Sequence, residues 1–156
     1  MIEIKQGDPA PKFTSTDQNG NSISLEQLKG KKVILFFYPK DNTPGCTAEA
    51  CDFRDNYQSL KSKGFEVLGV SVDDEKSHQK FATKYDLPFT LLADTDHRIV
   101  EAYGVWGEKS MYGKKYMGTN RTTFIIDEEG NIAHIINKVD TKKPTEQMLQ
   151  LIGQML

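Results

Sequence analysis

Cys46 and Cys51 stand five positions apart in a chain of 156 residues that has no other cysteine. The segment that holds them reads Pro39-Lys40-Asp41-Asn42-Thr43-Pro44-Gly45-Cys46-Thr47-Ala48-Glu49-Ala50-Cys51. It follows a continuous apolar run and opens a stretch of helical period, which places Cys46 in the first turn of a helix. There, free backbone N–H groups and the positive end of the macrodipole favour an anion. A thiolate is such an anion, and it is the nucleophilic form of cysteine. An ordinary thiol ionises near pH ~8.5, so only a few per cent is charged at neutrality. Bringing a thiol to ~6 requires about 3.4 kcal/mol in favour of the charged form. A helix terminus supplies roughly 1 kcal/mol, up to ~2 in a partly buried site. A cation must supply the remainder.

The same helix separates the two sulfurs. Five residues at about 100° each put Cys51 roughly 140° around the axis from Cys46 and about 7.5 Å along it. The Cα atoms are then about 8.7 Å apart, beyond the ~7 Å limit for a disulfide without backbone movement. If the two cysteines pair, the first turns of this helix must unwind. Redox work is one use for such a pair, and half of a metal site is another. Against the metal, zinc takes four ligands at spacings such as C-x2-C, and His78, His97 and His134 are scattered. A third reading makes Cys46 a small buried hydrophobe, a common fate of free cysteine.

The elements that must position this segment follow from periodicity. Residues 33–38 (VILFFY) form an apolar run that fits a strand buried on both faces. Further strands are predicted over 65–72, 89–93 and 122–126, and a turn at 128–131 leads into a hairpin partner over 132–137. Cys46, Ala50, Phe53, Tyr57 and Leu60 make one helical stripe that Gly64 ends. Helices are also predicted over 77–85, 96–103 and 144–156, the last burying Met148, Leu149, Leu151 and Ile152 behind a first-turn proline. Turn residues 17–21 imply a small N-terminal hairpin, followed by a short helix over 24–28. Lys114 and Lys115, beside Met111 and Tyr112, read as a solvated loop. Trp106, Phe37 and Tyr38 read as packing. Strands alternating with helices and closing on a hairpin imply an α/β sandwich around a central sheet, compatible with a thioredoxin-like fold.

Composition sets the bounds. At 156 residues the expectation is one domain spanning 1–156, with no repeat or linker to divide it. A net charge of −2, with both signs interspersed, gives no general field for nucleic acid or anionic membrane. No apolar stretch approaches the roughly 20 residues that span a bilayer, and residues 1–11 lack a signal-peptide core. Two close cysteines, in place of a wide disulfide framework, fit a cytoplasmic protein.

The run TPGCT-A-EAC with its Pro39…Thr43…Cys46 spacing resembles the peroxiredoxins, and most of all the peroxiredoxin Q or bacterioferritin comigratory group. The likeness continues through Gly104-Val105-Trp106-Gly107-Glu108-Lys109 and Arg121-Thr122-Thr123-Phe124-Ile125-Ile126-Asp127 and covers essentially the whole chain. It implies a thioredoxin-like fold with a central mixed sheet and an N-terminal β-hairpin extension, and a peroxidase that needs no metal or organic cofactor. By resemblance Cys46 is the attacking thiolate and Cys51 resolves the oxidised product as a disulfide within the subunit. Thr43 is the residue whose hydroxyl orients the peroxide and bonds the thiolate, and Arg121 is the missing cation. Pro39 shields the sulfur, Gly45 lies with it at the substrate, and Glu49 helps to hold the arginine, unless it is a solvated helix residue. The implied partners are a hydroperoxide and thioredoxin or a similar dithiol reductant, and the implied state is a monomer. Two other classes remain. One is a disulfide exchanger, for which C-x4-C is too wide beside C-x-x-C. The other is a non-catalytic binding domain.

Overall fold

The computed structural model describes residues 4–153. The apolar run becomes β3 (Lys32–Phe37), and every residue from Val33 to Tyr38 is buried. Its alternate side chains feed two cores. Ile34, Phe36 and Tyr38 join one that contains Cys46, Ala50, Phe53, Leu60, Phe81 and Met148. Val33, Leu35 and Phe37 join the other, with Leu25, Val100, Tyr103 and Phe124. A strand that fills both layers shows no polar alternation, and this is why its sequence is a plain hydrophobic run.

Around it, a seven-stranded mixed sheet runs in the order β2 (Ser22–Ser24), β1 (Thr14–Thr16), β5 (Thr90–Ala93), β4 (Phe65–Ser71), β3, β8 (Thr122–Ile126), β9 (Ile132–Ile136). The pairs β3–β4 and β4–β5 are parallel, whereas β3–β8, β8–β9, β1–β2 and β1–β5 are antiparallel. The expected N-terminal hairpin is thus part of the main sheet, forming one edge through a bridge from Thr16 to Ala93. Helices α1 (Pro44–Asp55), α2 (Tyr57–Ser62), α3 (Glu75–Tyr85) and α5 (Pro144–Leu151) pack through the first core, and the short α4 (Arg98–Ala102) packs through the second. Among the described residues no helix is long and apolar enough to cross a membrane.

Three expectations need correction. The helix expected from Cys46 to Leu60 breaks at Asn56, whose backbone leaves the helical region (φ −105°, ψ 5°) and whose side chain shares the Asp52 carbonyl (2.8 Å) with its own N–H (3.1 Å). The loop expected at Lys114 and Lys115 is a hairpin, β6 (Trp106–Met111) with β7 (Lys114–Thr119). Its turn is Tyr112-Gly113, both at positive φ (51° and 77°), the backbone that a two-residue hairpin turn requires. Finally, Leu151 is half exposed, while Met148 and Leu149 are buried. At about 100° per residue, Leu151 lies over 100° from the middle of the buried arc. The last three residues of the expected C-terminal helix lie outside the described residues.

Candidate active site

The end of β3 delivers the chain into residues 38–43, and α1 begins at Pro44. Pro44 has no N–H to lose at this first position, and its fixed φ suits a helix start. Thr43 sits at the N-cap position, but its side chain makes no cap. Its hydroxyl donates instead to the Lys40 carbonyl at 2.8 Å. A hydroxyl has one proton, so the bond from Thr43 to the sulfur implied by resemblance is not made here. The first backbone bond into the helix runs from Thr47 N–H to the Thr43 carbonyl. The N–H groups of Gly45 and Cys46 lie ahead of it, where a helix leaves donors open.

Cys46 is the third residue of α1 and is 1% exposed. The antiparallel register of β8 on β3 pairs Thr122 with Phe37, so Arg121, one residue before β8, arrives beside the start of α1. Its Nη2 donates to Cys46 Sγ at 3.2 Å, and its Nη1 donates to Glu49 Oε1 at 2.7 Å. The guanidinium spans both groups with its rigid fork. A Cβ placed on Gly45 would stand 3.2 Å from Arg121 Nη2, so a glycine here lets the cation close over the helix start. Pro39 is partly buried at the end of the strand. Cys51 lies about one and a half turns further along α1, partly buried, and both cysteines are free thiols. Burial raises the Cys51 thiol above its usual range, opposed by the nearby charge of Arg54.

Glu49 is fully buried, so it is no solvated helix residue. It lies three residues after Cys46 and four before Phe53, on the apolar stripe itself. A charged residue at that phase demands a partner, and this is a signal the sequence carried. Only Oε1 finds one, because Oε2 is buried with no hydrogen bond. Burial pushes the Glu49 carboxyl up to about 7, against the pull of Arg121. Arg121 is itself raised: burial opposes its charge, but the charges of Glu49 and Cys46 outweigh that penalty.

The sign of the Glu49 shift makes a prediction. Its ordinary value is 4.5 and the folded value is about 7, so between these limits the folded state holds a proton that the unfolded state has released. Its contribution is therefore full below 4.5 and is lost as the pH rises through 7. The loss amounts to about 3 kcal/mol at most. Glu49→Gln mimics the protonated acid. Its melting temperature relative to the natural protein is expected to climb between pH 4.5 and 8 and then level off. Thermal melts across that range would refute this by showing a constant difference or one of opposite slope.

Sequence reasoning passed over a second group of polar side chains. Asp41, Asp73 and His78 bring metal-type ligand atoms within 4.8 Å of one another, where the scattered histidines had suggested no cluster. Each atom is engaged in hydrogen bonds. Asp41 Oδ2 meets Ser77 Oγ (2.8 Å) and His78 Nδ1 (2.7 Å), and Asp73 Oδ2 accepts from Ser71 Oγ (2.7 Å) and Asp41 N–H (2.8 Å). The signal was there in part: His78 precedes Phe81 by three residues on the buried face of α3.

A mixed sheet whose central strand runs into a helix bearing a buried thiol, with a guanidinium on the sulfur, defines a thioredoxin-fold cysteine enzyme. A family model described as AhpC/TSA family matches residues 6–135. A protein of Coxiella burnetii named putative peroxiredoxin bcp is 51% identical over 154 residues, covering 99% of this chain and all of its own length. Peroxiredoxin Bcp of Escherichia coli K12 is 46% identical, covering 99% of each. Among solved structures, a PrxQ mutant of Xylella fastidiosa superposes with a TM-score of 0.91 at 29% identity over 98% of each chain. The bacterioferritin comigratory protein of Xanthomonas campestris does so at 0.87 and 32% identity, over 97% of this chain and 98% of its own. The chain belongs to the AhpC/TSA family and is a peroxiredoxin, a thiol-dependent peroxidase.

Proposed function

We propose that the chain reduces hydrogen peroxide and organic hydroperoxides with Cys46 as the attacking thiolate and Cys51 as the resolving thiol. The reading is supported most by one observation: Arg121 lies 3.2 Å from Cys46 Sγ, and so supplies the cation that a helix terminus alone could not replace. The thiolate attacks one peroxide oxygen, the O–O bond breaks, and the other oxygen leaves as water or an alcohol after taking a proton. The sulfur is left as a sulfenic acid. The free donors at the mouth of α1 and the Arg121 fork face the charge that develops on the oxygens. Thr43, its proton held by Lys40, offers hydroxyl lone pairs to the peroxide O–H. Pro39 and Gly45 line the approach, and Glu49 aligns the guanidinium. Organic hydroperoxides join the substrate class by similarity to the Xanthomonas bacterioferritin comigratory protein, which carries an alkyl peroxide reduction activity.

Cys51 then attacks the oxidised sulfur and displaces water, giving an intramolecular disulfide. Two residues five positions apart on one helix cannot bridge in place, so the start of α1 must open. Gly45 contributes little to helical stability there, and Phe53 keeps the far half of the helix in the core. A dithiol protein such as thioredoxin returns two electrons and two protons. We take the chain to work as a cytoplasmic monomer and as a single domain. The test is peroxide consumption by the reduced protein with thioredoxin, its reductase and NADPH, followed by mass mapping of the unreduced protein. Steady consumption and a peptide joining Cys46 to Cys51 are expected. Dithiol exchange with no peroxide turnover, or inertness in both assays, would overturn the reading.

Cys51→Ser isolates the second step. It should consume one equivalent of peroxide per subunit to leave Cys46 as a sulfenic acid, and further equivalents only as that acid is overoxidised, with recycling by thioredoxin reduced at least about tenfold. Mass spectrometry showing normal recycling would remove Cys51 from the pathway.

A further inference from the structure

We infer that His78 is a positioning residue for the peroxide step: with Asp41 it clamps the loop from which α1 starts and so holds Cys46 against Arg121. The inference rests on Cys46 being the attacking thiolate.

Residues 38–42 are nearly the whole connection between the central strand and the reactive helix, and side chains of α3 and of the segment after β4 tie them down at Asp41 and Asn42. Tyr38 OH donates to Asp41 Oδ1 at 2.6 Å. His78 bonds Asp41 Oδ2 at 2.7 Å from α3, and Ser77 adds a second bond to the same oxygen. The Asp41 N–H donates to Asp73, beyond the end of β4. Asn42 stands at φ 61°, and its Oδ1 accepts from Tyr85 OH at 3.1 Å. Only Asn42 and Thr43 separate Asp41 from Pro44. The titratable groups that face His78 are Asp41 and Tyr38 from the loop and Asp73 from beyond β4. On its far side the ring meets the Leu92 carbonyl of β5.

Proton accounting gives the clamp its character. His78 Nε2 lies 2.8 Å from the Leu92 carbonyl, which can only accept, so Nε2 carries a proton. Nδ1 then faces Asp41 Oδ2 at 2.7 Å, and two lone pairs cannot meet at that distance. One further proton must lie between them, making the pair an imidazolium and a carboxylate or their neutral equivalent. Both groups are buried, so the pair is costly to break and rigid while intact. Burial lowers the imidazole, but the hydrogen bond and charge of Asp41 outweigh it and leave His78 above its ordinary value. A group raised in this way keeps its proton, and with it the contact, below its folded value and loses it as the pH climbs through that value.

The clamp differs from a packing contact in that it requires one shared proton. His78→Gln can still offer a donor toward the Leu92 carbonyl but drops the bond to Asp41. It is expected to slow oxidation of Cys46 by hydrogen peroxide about tenfold at pH 7, read by stopped flow with a melt taken in parallel. Asp41→Asn can donate from its amide to Nδ1 of a neutral imidazole, and so restores the clamp without the extra proton. Its rate at pH 7 should lie within twofold of the natural protein, while the alkaline fall of the natural rate–pH profile should be absent. A His78→Gln rate within twofold of the natural one, or identical alkaline limbs for Asp41→Asn and the natural chain, would overturn the inference. Failure of the parent reading is distinct, because a Cys46→Ser protein would then consume peroxide as the natural one does.

Discussion

Cys46→Ser is expected to bring hydroperoxide turnover down to the uncatalysed background, a loss of at least ~10^4-fold. A serine hydroxyl is not ionised near neutrality, and its oxygen has no counterpart of the sulfenic acid that carries the transferred oxygen. The neighbours that would otherwise assist remain: the Arg121 fork, Glu49 and the open N–H groups of the first turn. The fold should survive, since an oxygen in place of sulfur still accepts from Arg121 Nη2. A melting temperature close to that of the natural protein, together with lost turnover, would assign the effect to chemistry. Substantial residual peroxidase activity in a protein proven free of reverted cysteine would place the nucleophile elsewhere.

The second large effect belongs to the cation. Arg121→Met keeps much of the apolar stem and deletes the fork. The second-order rate of Cys46 with hydrogen peroxide is expected to fall about 10^2- to 10^3-fold, the scale for removing an aligned donor that faces developing charge. Stability responds in a way that depends on pH. Breaking a buried ion pair costs roughly 3–5 kcal/mol when the surviving charge stays buried. Glu49, already near 7, escapes by taking a proton, so Arg121→Met should be least destabilised at pH 5 and most at pH 8. Equal destabilisation at both, or an unchanged peroxide rate, would take Arg121 out of the proposed site.

How far the sequence spoke depended on how local each signal was. The central strand was legible because burial on both faces leaves an unbroken apolar run. The start of α1 was legible because Pro44, Gly45 and the stripe through Ala50 and Phe53 sit within one helix. The β6–β7 hairpin was not, because most of its side chains face solvent on both sides and no alternation is imposed. Its one local mark is Tyr112-Gly113. Arg121 and Glu49 meet across 72 positions, so only resemblance pointed to the pair. His78 looked like an isolated histidine because its partners come from other parts of the fold: Asp41 lies 37 positions away and Leu92 lies 14.

The distance along the chain between Cys46 and Arg121 has a consequence for biosynthesis. The guanidinium that sits on the sulfur is encoded 75 residues after it, and it reaches the sulfur only when β8 docks beside β3. A nascent chain still short of that strand carries its cysteine without its cation. The contact between guanidinium and sulfur is thus a property of the assembled sheet, and a chain that lacks β8 cannot make it.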